Sequence, residues 1–121
     1  MHESIDPIMA NAKSCVFICS PYAGNTQLNT ENAKRYTRLA MDAGAIPFAP
    51  HLLYPQVLDD DDPKQREIGL LFGMVWLGKC DELWVFGRFI SPGMATEIDM
   101  AQRCHIPIRY FTENCEEADL I

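Results

Sequence analysis

The sequence predicts an α/β fold: a doubly wound, mainly parallel sheet of four to five strands with flanking helices. Three observations carry this expectation. Short apolar runs alternate along the chain with longer stretches whose apolar residues recur at helical spacing. The runs are continuously apolar rather than alternating, as strands buried on both faces are. Each run ends in glycine, proline, serine or asparagine before the next helix begins. A chain of 121 residues is long enough to bury one core of its own. The reading is a lead-in over 1–13 and a single domain over 14–121.

In order, 15–19 (Cys-Val-Phe-Ile-Cys) reads as the first buried strand. Ser20-Pro21-Tyr22-Ala23-Gly24-Asn25 stops it with turn residues. A helix is expected over 30–43, with Ala33, Tyr36, Ala40 and Ala43 on its inner face and Gly44 ending it. The second strand is 46–49, followed by a proline-rich and acidic loop over 50–63. Asp62 then reads as an N-cap, Pro63 as the first helical residue and Gln65 as the partner in a capping box. The helix over 63–77 carries two apolar stripes, Ile68, Leu71, Phe72 and Val75 on one and Leu70, Met74 and Leu77 on the other. Two apolar faces need two surfaces to pack against: the sheet and, by this reading, a second subunit. Gly69 and Gly73 would let another backbone approach. The third strand is 83–86, the next helix 94–104, the fourth strand 107–111, and an acidic tail closes the chain. Strand–helix alternation implies right-handed crossovers and a Rossmann- or flavodoxin-like sheet. Ligands of such sheets sit outside the carboxyl ends of the strands. Here that edge comprises 20–25, 50–54 and 87–97.

Composition narrows the function. The formal charge of −7, with no basic cluster, speaks against a nucleic-acid polymer as partner. No apolar run reaches membrane-spanning length, so no membrane partner is expected. Residues 1–13 lack the basic start and apolar core of a signal peptide, which points to the cytoplasm. Five cysteines without a Cys-x-x-Cys pair then read as small buried hydrophobes.

Neither a Gly-x-Gly-x-x-Gly turn after the first strand nor a Gly-x-x-x-x-Gly-Lys-Ser/Thr loop is present. The first loop offers Ser20, Tyr22 and Gly24 as a polar cradle, and equally reads as an ordinary turn. Ser91-Pro92-Gly93-Met94-Ala95-Thr96-Glu97 says more. Ser91 can cap the helix and Pro92 start it. The amides of Gly93 and Met94 would then point into the ligand edge, where an anion is favoured. Glu97 flanks the inward stripe of Met94, Ile98 and Ala101, whereas Asp99 points outward. No basic residue lies three or four positions from Glu97. By position alone it is either a site carboxylate or a solvated acid on a helix flank. His51 lies on the same edge, as ligand contact or as a hydrogen-bonded loop residue. The candidate binding residues are therefore Ser20, Pro21, Tyr22, Gly24, Asn25, His51, Gly87, Ser91, Gly93 and Met94, with Glu97 the candidate catalytic group. Asp59 to Asp62 reads as a solvated loop supplying a cap rather than a cation site, Cys104-His105 lacks partners for zinc, and Trp76 and Trp84 read as core or interface. No metal or cofactor is expected.

Three segments carry a resemblance: 16–22 (Val-Phe-Ile-Cys-Ser-Pro-Tyr), 81–86 (Asp-Glu-Leu-Trp-Val-Phe) and 91–97. Their order and spacing resemble the nucleoside 2-deoxyribosyltransferase-like superfamily over about residues 15–112, with its small single-domain members most similar. The resemblance implies cleavage or exchange of the N-glycosidic bond of a nucleoside or nucleoside 5′-monophosphate. It implies that Glu97 is the nucleophile and that Ser91 matches the serine holding a 5′-phosphate. It also implies a homodimer or higher homo-oligomer, in keeping with the two-faced helix. In one place the sequence departs: the hydrolases' aspartate, eight residues before the acid that opens the third strand, falls on Gly73. Either Glu67 or an acid of the 59–62 loop replaces it, or the pocket binds a nucleotide-like signal without catalysis. A third alternative is an oligomeric interaction protein with a decayed site.

Overall fold

A computed structural model describes residues 14–118. The expected lead-in over 1–13 lies outside the described residues. Five strands form one sheet in the order β2-β1-β3-β4-β5: β1 (Cys15–Cys19), β2 (Ile46–Phe48), β3 (Glu82–Phe86), β4 (Ile108–Phe111) and β5 (Glu117–Ala118). β1 pairs in parallel with β2 and β3, and β3 with β4; β5 runs antiparallel to β4 at the edge. The expected architecture, four to five strands and mainly parallel, is the one found.

The unbroken apolar runs are explained by the two sides of this sheet. Val16 and Ile18 point to one side with Trp84 and Phe86, and meet Tyr36 and Ala40 of helix α1 (Thr26–Asp42). Phe17 and Cys19 point to the other with Leu83 and Val85. There they meet Leu77 of α2 (Pro63–Leu77) and Met94 and Ala101 of α3 (Pro92–Arg103). Side chains alternate across a strand, so both registers must be apolar when both faces are covered. The Tyr36 ring stacks on Phe86 with centroids 4.2 Å apart, and Phe86 stacks on Phe111 at 4.8 Å.

α1 begins at Thr26, not at 30. Asn25 caps it, its side chain accepting from the Leu28 amide at 3.1 Å, while Asn29 Nδ2 donates to the Tyr22 and Ala23 carbonyls. The first turn is solvent-exposed and carries no apolar period, so only the cap marks it. Ala43 is exposed rather than inward, and Leu39 packs in its stead. Gly44, at φ +87°, makes the left-handed turn after the helix.

α2 has the expected bounds, and Asp62 caps it by accepting from the Lys64 amide at 3.0 Å. Gln65 closes no capping box. Its Oε1 accepts from the Asp59 amide at 2.8 Å and its Nε2 donates to the Asp62 carboxylate at 3.1 Å, tightening the loop ahead of the helix. Only Gly73 and Leu77 of α2 are buried. Gly69 and Gly73 face their own chain. A Cβ on Gly69 would meet Leu58 and Tyr54, and one on Gly73 would meet Phe17 and Pro50. The stripe of Ile68, Leu71, Phe72 and Val75 is exposed on the outer side, each residue between 41% and 60% accessible.

The acidic tail contains an unforeseen strand. β5 is fastened by Arg109, whose guanidinium donates to both carboxylate oxygens of Glu117 at 2.8 and 2.7 Å. The cysteines do not form the buried set expected: only Cys19 is buried, Cys15 and Cys104 are exposed, Cys80 and Cys115 are half-buried, and all five are free. Trp84 is buried and its indole donates to Glu82 at 2.7 Å, whereas Trp76 is 44% exposed and stacks on Phe48. Among the described residues, no helix is long and apolar enough to cross a membrane.

Candidate functional site

A cleft opens at the carboxyl ends of β1 and β2, beside the N-terminus of α3. Three walls bound it. Ser20 and Tyr22 form the first, directly after β1; the second comprises Pro50, His51 and Tyr54 of the 3₁₀ turns after β2, with Asp60 of the loop before α2 and Arg66, Gly69 and Gly73 of α2 itself. The third is the N-terminus of α3, with Ser91, Gly93, Met94 and Glu97.

Ser91 caps α3 as the sequence suggests, its hydroxyl accepting from the Met94 amide at 3.3 Å. That leaves the Gly93 amide among the orphan donors of the first turn, and a Cβ at Gly93 would meet nothing within 4 Å, so the cleft is open there. One turn on, Glu97 is 6% exposed, while Asp99 is solvent-facing and paired with Arg103 at 2.9 Å. Glu97 Oε1 and Ser20 Oγ are buried polar atoms without a partner among the described residues. Unpartnered buried oxygens are uncommon, and these two line one cleft. Burial pushes the Glu97 carboxyl up to about 7, against a smaller downward pull from the Cys19 thiol beside it. Near neutrality it exchanges between carboxylic acid and carboxylate.

His51 Nε2 lies 2.9 Å from the Ser20 carbonyl. A carbonyl only accepts, so Nε2 carries the proton. Burial holds the imidazole below its ordinary value, which keeps it neutral and leaves Nδ1 as an acceptor. Its ring stacks on Tyr22 with centroids 5.1 Å apart. The stacked pair lines the cleft with the unpartnered serine.

Of the sequence-derived candidates, the cleft gathers Ser20, Tyr22, His51, Ser91, Gly93, Met94 and Glu97. Pro21, Gly24, Asn25 and Gly87 are not among its lining residues. Asn25 is occupied as the cap of α1, Gly24 takes the turn at φ +96°, and Gly87, at φ +94°, lies against the Glu113 side chain. Turn chemistry at a strand end thus accounts for three of the four without a ligand. Of the second wall, the 50–54 segment with His51 stands where the sequence puts the ligand edge, and the contribution of α2 was the part not foreseen. Its signal was the Gly69/Gly73 pair: small residues one turn apart, which here leave space for the cleft rather than for another backbone. Asp60 lines the cleft and Glu67 does not, and Arg66 makes no salt bridge among the described residues.

Among solved structures, the chain is similar to a 2-deoxyribosyltransferase from the psychrotolerant bacterium Bacillus psychrosaccharolyticus. The TM-score is 0.68 at 16% identity, over 88% of this chain and 76% of that one. It is also similar to a conserved protein from Enterococcus faecalis V583, with a TM-score of 0.55 at 18% identity, over 83% of this chain and 64% of the other. At these identities what is shared is the fold, and it is the deoxyribosyltransferase-like fold that the sequence resembles. No curated protein matches the chain. A family model does match, over residues 14–111, and the chain belongs to that family, described as "Domain of unknown function (DUF7768)".

Proposed function

We propose that the cleft binds a nucleoside or nucleoside 5′-monophosphate and cleaves or exchanges its N-glycosidic bond, with Glu97 as nucleophile. The observation that supports this is a buried carboxyl with an unpartnered oxygen, on a residue that lines the cleft at the sheet's ligand edge. In the first step a Glu97 oxygen attacks the anomeric carbon and the bond to the base nitrogen breaks. The electron pair leaves with the base, which takes up a proton. In the second step water, or a second base, attacks the same carbon, the glycosyl ester breaks, and Glu97 returns as a carboxylate. Gly73 stands where the resembled hydrolases carry an aspartate, and Asp60, the acid of the 59–62 loop that lines the cleft, takes that part in this reading. The stacked Tyr22–His51 pair suits a base that extends the stack, and the Ser91-capped end of α3 suits a phosphate.

Glu97 attacks only when ionised, so base release is expected to rise with pH through about 7. The test is chromatography of a panel of nucleosides and 5′-nucleotides for free base, with wild type beside Glu97→Gln. The expected result is release by the wild type and a loss of roughly 10³-fold or more in the variant. Gly73 favours one other reading, a non-catalytic nucleotide binder. Unmodified ligand recovered after denaturation, with a thermal shift of the same size in both proteins, would decide for it.

The outer face of α2 supports self-association. Five apolar side chains of this helix, Ile68, Leu71, Phe72, Val75 and Trp76, are each at least 41% exposed, more than a lone soluble domain ordinarily leaves uncovered on one helix. Sedimentation is expected to show a dimer or larger assembly, reduced to monomer by Leu71→Asp with Val75→Asp. A monomeric wild type would end this part of the proposal.

A further inference from the structure

Arg66 stands in the first turns of α2 and is exposed, yet it is one of the residues that line the cleft. It shares a helix face with Gly69 and Gly73, three and seven positions on, which also line the cleft and add no side chain to that face. Every other arginine of the chain has a partner. Arg38 pairs with Asp42 at 3.0 Å, Arg103 with Asp99 at 2.9 Å, Arg109 with Glu117 at 2.7 Å and Arg88 with Glu113 at 3.8 Å. Arg35 donates to the Glu113 carbonyl at 3.1 Å. Arg66 makes no salt bridge among the described residues, although aspartates 59–62 come just before its helix. Its helical neighbours do not take it. Asp62, four positions back, is engaged at both carboxylate oxygens, by the Lys64 amide at 3.0 Å and by Gln65 Nε2 at 3.1 Å. Pro63, Gly69 and Leu70, at the other neighbouring positions, carry no carboxylate. The other ionisable residues lining the cleft are Tyr22, His51, Asp60 and Glu97, so Arg66 is the one arginine or lysine among them. In a chain of net charge −7, with two carboxyls at the cleft, an anion meets repulsion unless a positive group compensates.

We propose that Arg66 is the specificity-determining residue of the cleft: its guanidinium binds a phosphoryl group of the ligand, so that the substrate class is a nucleotide rather than a nucleoside. The proposal deepens the reading of the cleft as a nucleoside or nucleotide site and rests on it. A guanidinium is planar, permanently charged and forked, and two of its N–H groups match two oxygens of one phosphoryl group. A lysine at the same place would offer a point charge without the fork. Left unpaired at the surface, the arginine keeps its hydration and costs the free protein little. A phosphoryl group at a cleft wall is screened less than one in open solvent, so the contact gains on binding. A nucleoside presents no such group and leaves Arg66 as it was.

The test is titration calorimetry with matched nucleosides and nucleoside 5′-monophosphates of the common bases, in the Glu97→Gln background so that no ligand is consumed. With Arg66 intact, the nucleotide of at least one base is expected to bind about tenfold or more tighter than its nucleoside, and to weaken as sodium chloride is added. Arg66→Ala should lose about tenfold or more for that nucleotide and stay within about twofold for the nucleoside. Arg66→Lys should fall between the two, because it keeps the charge and loses the fork. Nucleoside and nucleotide bound equally with Arg66 intact would overturn the proposal and leave the site reading standing. A preference for nucleotide that survives in folded Arg66→Ala would overturn it as well. Should Arg66→Ala not fold, the ratio of the two ligands in Arg66→Lys decides: a ratio and salt dependence unchanged from the arginine protein would overturn it. Binding of neither ligand would end the site reading and the proposal together. A nucleotide preference that depends on Arg66, with no base released by the wild type, would end the glycosidase reading alone.

Discussion

Helices α3 and α2 face each other across the cleft, yet the sequence describes them very differently. α3 is amphipathic: Met94, Glu97 and Ala101 are buried, and Asp99 and Arg103 pair in solvent. Its cap, its proline and its inward stripe all agree and put Glu97 beside that stripe, which left open whether it is a site carboxylate or a solvated acid; its burial decides. α2 is apolar nearly all round and inverts the usual orientation. Its smallest residues, Gly69 and Gly73, turn inward, and Leu71, Phe72 and Val75 turn out. A hydrophobic pattern tells which residues avoid water, not which of two apolar faces meets the chain's own core. α3 is built to hold one polar group inside; α2 is built to leave room on one side and apolar surface on the other.

The sharpest stability consequence of this contrast lies in Glu97. Its folded value of about 7 stands above the ordinary 4.5. Between those two pH values the folded state keeps a proton that the unfolded chain has lost, so stability falls as pH rises through that window. The total is about 3 kcal/mol from the shift at ~1.4 kcal/mol per pH unit. Glu97→Gln should remove this loss. The variant is expected to gain stability over wild type progressively from about pH 4.5 to 7 and to hold the gain above it, in urea titrations at several pH values. Equal pH dependence of the two proteins would mean that the carboxyl is not confined as described.

Gly73→Ala tests the opposite wall. The added Cβ would meet Phe17 and Pro50 only at 3.9 and 4.0 Å, ordinary contact distances. Replacing a mid-helix glycine should then stabilise by up to ~1 kcal/mol. The same methyl group narrows the cleft, so ligand affinity should fall while the melting temperature rises. A loss of stability would show that α2 sits closer to the sheet than described. Ser91→Ala is expected to cost about 1 kcal/mol through the lost cap of α3, and Asp62→Ala a similar amount at α2. Only the first removes a cleft-lining hydroxyl and should weaken phosphate-bearing ligands.

Much of the fold was legible because its strands are short, apolar and punctuated. What escaped has physical reasons. β5 consists of only Glu117 and Ala118, held through the Glu117 carboxylate by Arg109 rather than by burial, so hydrophobic periodicity is silent about it. The first turn of α1 is exposed and defined only by Asn25. Gly24, Asn25 and Gly87 carry the residue types of a ligand loop, but the same types serve caps and left-handed turns, and here they do the latter. Conversely, Asp60 and Arg66 stood within an acidic loop and a helix start, where solvated charges are the rule, so that the loop offered a replacement acid without saying which, and Arg66 was passed over. Only the turn of the chain through Pro50 and Tyr54 brings them to the cleft that Glu97 lines.

The most direct measurement is mass spectrometry of the protein quenched with acid during incubation with whichever nucleoside or nucleotide releases its base. The account predicts one added glycosyl unit on the peptide that carries Glu97, absent in Glu97→Gln. Base released without any modified peptide, or a glycosyl unit found on another residue, would contradict it.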